Sequence, residues 1–417
     1  MKKLLILLIF FITTSFTISA PQKDDTYEQI KLLLDVLKYT EENYVDEVDR
    51  NKLLISAIKG MLKPLDPFSQ FLEPSAYNEL KVETEGRFGG LGIRITVRDN
   101  WITVITPLPG TPAYKAGILP NDKIIKIEGE SAYGMSIEEA VKRLRGTPGT
   151  KVTITISREG VKDPIEMTLT RDIIKIEVIK YKMLENNIGY IALFEFNNNS
   201  YNDKKKALEE LKKRGMDSLI LDLRNNPGGL LEQAVKIAKL FIGKNKLIVY
   251  TEGRKSPRKE YRADATALYE DIPMVVLVNG GSASGSEILA GALQDNKRAI
   301  IIGSQTFGKA SVQSVIDLGN GYGLKLTTAK YYTPSGRCIQ KDESVKSSTD
   351  THTGGIIPDI IIEVPKEIEA KLYQQREEIF YPGKEPVSAV KKEEQVEDVV
   401  LNRAIEIVKA IKIYMNK

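Results

Sequence analysis

Histidine is almost missing from this chain: His352 is the only one in 417 residues. It lies in the polar run SSTDTHTGG, so a serine–histidine–aspartate triad would hang on one loop side chain. Cysteine is equally scarce. Cys338 alone cannot close an internal disulfide, and one cysteine with one histidine cannot build a Cys/His zinc site. With no histidine at hand to activate it, Cys338 reads as a small buried apolar residue rather than a nucleophile. An excess of one charge is also lacking. Lys and Arg total 60 against 56 Asp and Glu, a net charge of +4 spread along the chain, so nucleic acid is not an expected partner. No motif calls for a cofactor or a resident metal. After the first twenty residues no run is apolar enough to span a bilayer.

What is present is the composition of a folded protein with room for two or three domains, 42% apolar and 28% charged. Residues 1–20 read as a signal peptide for export: Lys2 and Lys3, an apolar run over 4–12, then Ser19 and Ala20 at the cleavage point. An uncleaved membrane anchor is the alternative, weakened by Thr13, Thr14 and Ser15 and by a length of about 15 residues where roughly 20 are needed. Residues 21–84 carry apolar positions at helical spacing, Ile30, Leu33, Leu34 and Leu37, then Leu54, Ile58, Met61 and Leu62, before the helix-breaking KPLDPFSQFLEPS. Such short amphipathic helices need a surface to cover their apolar stripes, either the rest of the chain or a second copy.

Over 85–172 the period changes to short β-branched runs, interrupted by one helical segment at 136–145. Here FGGLGIRI (88–95) sets glycines directly before a strand, where main-chain N–H groups of Gly90, Leu91, Gly92 and Ile93 can cup a carboxylate. From 173 to 365, buried-looking strands such as SLILDLR, LIVY and PMVVLVNG alternate with helices, which implies an α/β layer on a mainly parallel sheet. The remainder, 366–417, holds a charged linker at 382–398 and a closing helix at 399–415. No internal repeat is visible.

Two glycine-rich bends carry the chemistry. NGGSASGSEILAGALQD (279–295) sets Ser284 where a buried strand turns into a helix, and FGKASVQ (307–313) follows with Lys309 beside a glycine. Ser284 and Glu287 also have capping-box spacing, so Ser284 taken alone reads as a helix cap. The strand-to-helix turn, together with a second glycine loop from Asn225 to Gly229 after another buried strand, favours a nucleophile beside main-chain oxyanion donors. Lys309 is then the base. A free lysine titrates near about 10, so it takes a proton only if burial lowers that value, and no acidic residue lies between 303 and 313. A solvated loop lysine is the plain alternative. Gln313 can orient the lysine with a neutral hydrogen bond, but four residues of extended strand span roughly 13 Å, so contact needs a helical or bulged segment. Ser256 and Lys259 share the S-x-x-K spacing of penicillin-recognising enzymes, in a charged run that argues against a desolvated lysine. Replacing Ser282 or Ser286 is expected to leave activity largely intact.

ENYVDEVD, GMLKPLDPFSQFL, GRFGGLGI, TPAYKAGI with PNDKIIKIEG, LDLRNNPGG, VNGGSASGSEILAGALQD, GKASVQ, YYTPSGR and the PDI at Pro358 follow one another between about residues 27 and 365. In that order they resemble the C-terminal (tail-specific) processing peptidases, exported Ser-Lys proteases with an inserted PDZ domain. The resemblance implies an α/β fold with a crotonase/ClpP-like spiral protease core over 173–365, a PDZ domain over 85–172, and helical N- and C-terminal segments. It implies Ser284 as nucleophile, Lys309 as base, Gln313 as the residue orienting the lysine, and N–H groups of Gly228, Gly229 and Gly285 as the oxyanion hole. Gly285 stands where the family commonly has alanine, which leaves a main-chain donor unchanged. Asp295 matches a recurrent family position and reads as helix-end structure, while the insertion at 341–354 departs from the shorter family text. The implied substrates are proteins or peptides with free, apolar C-termini, captured at Gly90, Leu91, Gly92 and Ile93. A homodimer is implied too, and a regulatory partner is left open. Two competitors stand beside this reading: a catalytically inactive PDZ adaptor, and a crotonase-like acyl-CoA enzyme, which would need neither a PDZ domain nor a Ser-Lys pair.

Overall fold

The computed structural model describes residues 26–341, 354–380 and 396–415. The expected signal peptide, His352, most of the expected linker and nearly all of the 341–354 insertion lie outside them. Among the described residues, those up to Pro67 form one compact unit and those from Phe68 onward another, so the boundary between units falls inside the helical region expected over 21–84. The first unit holds two helices, Thr26–Asn43 and Arg50–Leu62. Asp49 caps the second by accepting the N–H groups of Asn51 and Lys52 at 2.8 and 3.2 Å. Ile30, Leu33 and Leu34 of the expected apolar stripe are exposed.

The second unit is built on a six-stranded sheet in the order Ile179–Met183, Ile188–Leu193, Ser218–Asp222, Met274–Val278, Ile300–Gly303, Ile360–Ile361. The first pair is antiparallel and all later pairs are parallel. Three of its strands are buried along their whole length, as continuous apolar runs require of a sheet covered on both faces. Alternate residues go to opposite cores. Leu219, Leu221, Val276 and Val278 pack with the helices Ser200–Lys213, Leu231–Ala238 and Gly285–Asp295, whereas Ile220, Val275 and Leu277 pack under Val400, Ala404 and Val408 of the C-terminal helix Val399–Met415.

The LIVY run corrects the expectation of a single parallel layer. Leu247–Gly253 pairs antiparallel with Ser256–Arg262 and Tyr322–Tyr332, in a second sheet that also holds Ser311–Gly319 and Gln70–Leu72. An apolar run specifies burial and says nothing of which strand lies beside it. Cys338 is a second correction: it is exposed, on the turn whose antiparallel bridge to Tyr332 folds the chain back at the surface.

Within the same unit, five antiparallel strands, Ile93–Arg98, Trp101–Pro107, Lys123–Ile127, Lys151–Ser157 and Ile165–Thr170, enclose a core of their own around Ile102, Val104, Ile124 and Ile154. The helix Ile137–Leu144 packs on them, its start capped by the Ser136 hydroxyl, which accepts the Glu139 N–H at 3.2 Å. Arg87–Gly90 pairs with Asp172–Lys175, so the chain enters and leaves this module at one place. Among the described residues Ile93–Arg98 is an edge strand with a single neighbour. The Leu91 side chain, 3% exposed, belongs to the module's core, which leaves its main chain rather than its side chain to meet a ligand.

Candidate active site

Met274–Val278 ends in a tight bend, and the helix Gly285–Asp295 starts directly after Ser284. Ser284 sits at φ 50°, ψ −109°, a conformation unfavourable for any residue with a Cβ and typical of a nucleophile raised on a strand-to-helix turn. The capping-box relation is there as well: the Glu287 carboxylate accepts the Ser284 N–H at 2.8 Å. That carboxylate does more than cap. Glu287 is fully buried and also accepts from the Thr306 hydroxyl at 2.6 Å, the Gly308 N–H at 2.7 Å and the Lys309 N–H at 2.9 Å. Burial pushes its carboxyl above the ordinary value, opposed by these four donors. Tyr331 adds a second brace, its buried hydroxyl lying 2.6 Å from the Lys309 carbonyl and 3.1 Å from that of Ser284. One carboxylate and one phenol thus hold the main chains of Ser284 and Lys309 to each other. The local sequence shows only the cap, because the other partners lie 19 to 47 residues away.

Lys309 is half-buried, with its ammonium 4.3 Å from the centre of the Phe68 ring, a cation–π contact that nothing in the PLDPFSQ text announces. Gln313 is on the strand Ser311–Gly319, whose pairing with Tyr322–Tyr332 shifts register between Val312 and Gln313; the even spacing of 309, 311 and 313 puts their side chains on one side. Lys309, Ser311 and Gln313 all line one cleft with Ser284, and Gln313 Nε2 donates to the Ser311 hydroxyl at 3.3 Å.

The second glycine loop adjoins the serine, since Ser218–Asp222 and Met274–Val278 are parallel neighbours and both loops leave their carboxyl ends. Gly228 takes φ 102° and Gly229 φ 128°. A Cβ on Gly228 would stand 2.6 Å from the Ala283 carbonyl oxygen and 2.8 Å from Ser284 Cβ, and one on Gly229 2.3 Å from the Phe196 oxygen, so both positions require glycine. The three expected oxyanion donors are not equivalent. The Gly228 N–H already donates to Asn226 Oδ1 at 2.9 Å, whereas no protein acceptor meets the N–H of Gly229 or Gly285 among the described residues. Ser282 and Ser286 are fully buried, their hydroxyls donating to the Leu223 and Asn226 carbonyls at 2.8 and 2.9 Å. They stitch the two loops together, so their replacement is no longer expected to be silent.

The cleft measures about 370 Å³ and is walled by Gly228, Gly229, Leu230, Ile288 and Val312 around Ser284 and Lys309. Glu83 and Glu195 also line it; burial, then the Glu83 charge, pushes the Glu195 carboxyl up to about 7. Other sequence candidates lie elsewhere. Ser256 and Lys259 are on the strand Ser256–Arg262, where Lys259 is exposed and neither residue lines the cleft. Asp295 accepts the Ser335 N–H at 2.9 Å and pairs with Arg337, tying down the TPSGR turn from the helix end. Among the described residues no group of three or more His, Cys, Asp or Glu stands ready to hold a metal ion.

Three family models match the chain: peptidase family S41 over residues 187–362, PDZ domain over 103–158, and activating protease CtpB N-terminal domain over 13–76. The chain is 42% identical over 354 residues to a carboxy-terminal-processing protease of Bartonella bacilliformis, covering 84% of this chain and 78% of that one. It is 39% identical over 363 residues to a carboxyl-terminal-processing protease of Synechocystis, covering 81% and 82%. Among solved structures it is similar to a photosystem II D1 C-terminal processing protease, at 32% identity over 81% of this chain and 93% of that one, with a TM-score of 0.45.

Proposed function

This chain belongs to the carboxy-terminal processing proteases of peptidase family S41, serine-type peptidases that carry a PDZ domain, and we propose that it cuts exported proteins near their C-termini by a Ser284–Lys309 mechanism. The observation that carries the mechanism is the Glu287–Tyr331 brace, which fixes the serine and lysine backbones to one another at one cleft. A serine that merely capped a helix would gain nothing from it.

In this reading the substrate's tail adds as a strand to the open edge of Ile93–Arg98, with its carboxylate on the main-chain N–H groups of Gly90, Leu91, Gly92 and Ile93. The chain upstream of the tail enters the cleft. Lys309 takes the Ser284 hydroxyl proton, the serine oxygen attacks the peptide carbonyl carbon, and the N–H groups of Gly229 and Gly285 hold the negative oxygen. Gly228 contributes by letting the loop approach Ser284 so closely. Lys309 then gives its proton to the leaving amine, and a water that it deprotonates cleaves the acyl ester. Phe68 and Gln313 keep the lysine head and its strand in position. The same reading includes a crotonase/ClpP-like spiral for the core, export by residues 1–20 to an extracytoplasmic compartment, cleaved or retained as an anchor, and a homodimer. A silent PDZ adaptor would have no use for a strained serine braced to a lysine.

The test uses the mature chain and an unfolded protein ending in a free apolar tail. Ser284→Ala and Lys309→Ala are each expected to slow cleavage by about a thousandfold or more, and amidating the tail to raise KM. Equal cleavage by all three proteins would sink the assignment.

A further inference from the structure

The glycine loops are held from behind by the C-terminal helices. Arg224, 8% exposed, directly precedes the Asn225–Gly229 loop. Its Nε and Nη2 donate to the fully buried Asp222 at 3.1 and 2.8 Å, and its Nη1 and Nη2 donate to Asp398 at 2.9 and 2.8 Å. Asp222 is itself fixed by the Tyr190 hydroxyl at 2.6 Å and by the Arg224 N–H at 2.9 Å. Asp398 stands just ahead of the helix Val399–Met415 and accepts the Leu401 N–H at 3.0 Å, so one carboxylate both caps that helix and clamps Arg224. A second tie runs in parallel. Glu369, on the helix Lys366–Phe380, accepts from Asn279 Nδ2 at 3.3 Å; the same Asn279 side chain exchanges hydrogen bonds with Asn225 at 2.9 Å each and accepts the Gly281 N–H at 3.1 Å.

Resting on the Ser284–Lys309 reading, we propose that Arg224 is a positioning residue for the oxyanion loop, and that the C-terminal segment carrying Asp398 is a required backing of the active site although it touches no substrate. A guanidinium held by one carboxylate through Nε and Nη2 and by another through Nη1 and Nη2 has little freedom to swing. Releasing one grip lets the residue before Asn225 move and carries the Gly228–Gly229 backbone with it. Oxyanion donors act over a few tenths of an ångström, so play in this loop lowers kcat and leaves tail capture, and with it KM, nearly unchanged.

Asp398→Ser in the full chain separates the two duties of Asp398, because serine still caps the helix but cannot reach across as a bidentate acceptor. kcat on the tailed substrate is expected to fall on the order of tenfold, with KM within about twofold. Labelling of Ser284 by a fluorophosphonate, which uses the same donors without tail capture, should slow by the same factor. Asp398→Asn, which keeps the cap and one neutral acceptor, should fall less, and reads the same split if the serine variant does not fold. Val408→Ala, in the same helix but roughly 15 Å further along it, should lower Tm and leave kcat unchanged. The positioning role is overturned if both Asp398 variants keep full kcat and labelling, or if Val408→Ala cuts kcat as deeply. Failure of the serine assignment itself would show separately, as normal cleavage by Ser284→Ala.

Discussion

Ser284 holds a backbone conformation, φ 50° and ψ −109°, that costs about 1–3 kcal/mol for a side-chain-bearing residue. Glycine is free of that cost but loses about 0.4–1 kcal/mol through the added freedom of its unfolded chain. Ser284→Gly is therefore expected to melt above Ser284→Ala, with both inactive; equal Tm values would mean that the turn is unstrained. Glu287 gives a sharper prediction. Each of its oxygens accepts two donors, so the amide of Glu287→Gln must aim its NH₂ at two N–H or O–H groups in either orientation. Loss of more than about 2 kcal/mol in denaturant unfolding is expected, with turnover falling together with it, and an unchanged midpoint would count against the brace. At this scale the sequence marks Ser284, Lys309 and Gln313 as candidates, because glycine-rich bends next to apolar runs have a local signature, and the structure brings the three to one cleft. Glu287 was legible only as a cap, since three of its four donors come from the distant 306–309 loop.

The helix Ser200–Lys213 is written in the local sequence in its extent but not in its burial. Its extent follows from NDKKKALEELKKRG and the glycine stop, with Gly215 at φ 92°. Its burial does not, for Lys204 is 0% exposed, 5.0 Å from the Phe241 ring, and its Nζ has no hydrogen-bond partner among the described residues. Burial holds this lysine well below its ordinary 10.5. A base whose folded value is depressed contributes fully above the unfolded value and loses that stability as pH falls through the folded one. Lys204→Met is thus expected to stabilise the protein at pH 7 by about 1–4 kcal/mol, with the gain shrinking toward pH 10; urea midpoints of both proteins at the two pH values would read it. A gain that grows with pH would contradict a buried, destabilised ammonium. Leu247–Gly253 departs from the parallel layer for a reason at the same scale. Its burial was evident, but its neighbours Ser256–Arg262 and Tyr322–Tyr332 are fixed by tertiary packing that no local pattern carries.

Across the whole molecule, the PDZ module and the α/β layer have separate cores, and their order was legible from the switch in hydrophobic period. The module joins the rest of its unit through the Arg87–Gly90 and Asp172–Lys175 ladder, in which Gly90 faces Asp172 at roughly 5 Å. Replacing residues 91–171 by a short glycine turn is expected to leave a core that melts cooperatively and cleaves unfolded proteins at the same rate whether their tails are free or amidated. A core that fails to fold would show that the module is part of the catalytic scaffold, and one that still prefers the free tail would show that the tail is read outside the module. The ties from Asp398 to Arg224 and from Glu369 to Asn279 could not be read in advance, because they span 174 and 90 residues.

The Glu287 carboxylate has a consequence for how this site can change over generations. A substitution in the 279–287 bend alters the hydrogen-bond set offered to 306–309, and one in 306–309 alters the set offered back. Neither loop can be traded for a relative's version alone: the two drift, recombine and are inherited as one part, separated in the chain only by the helix and strand that let them meet.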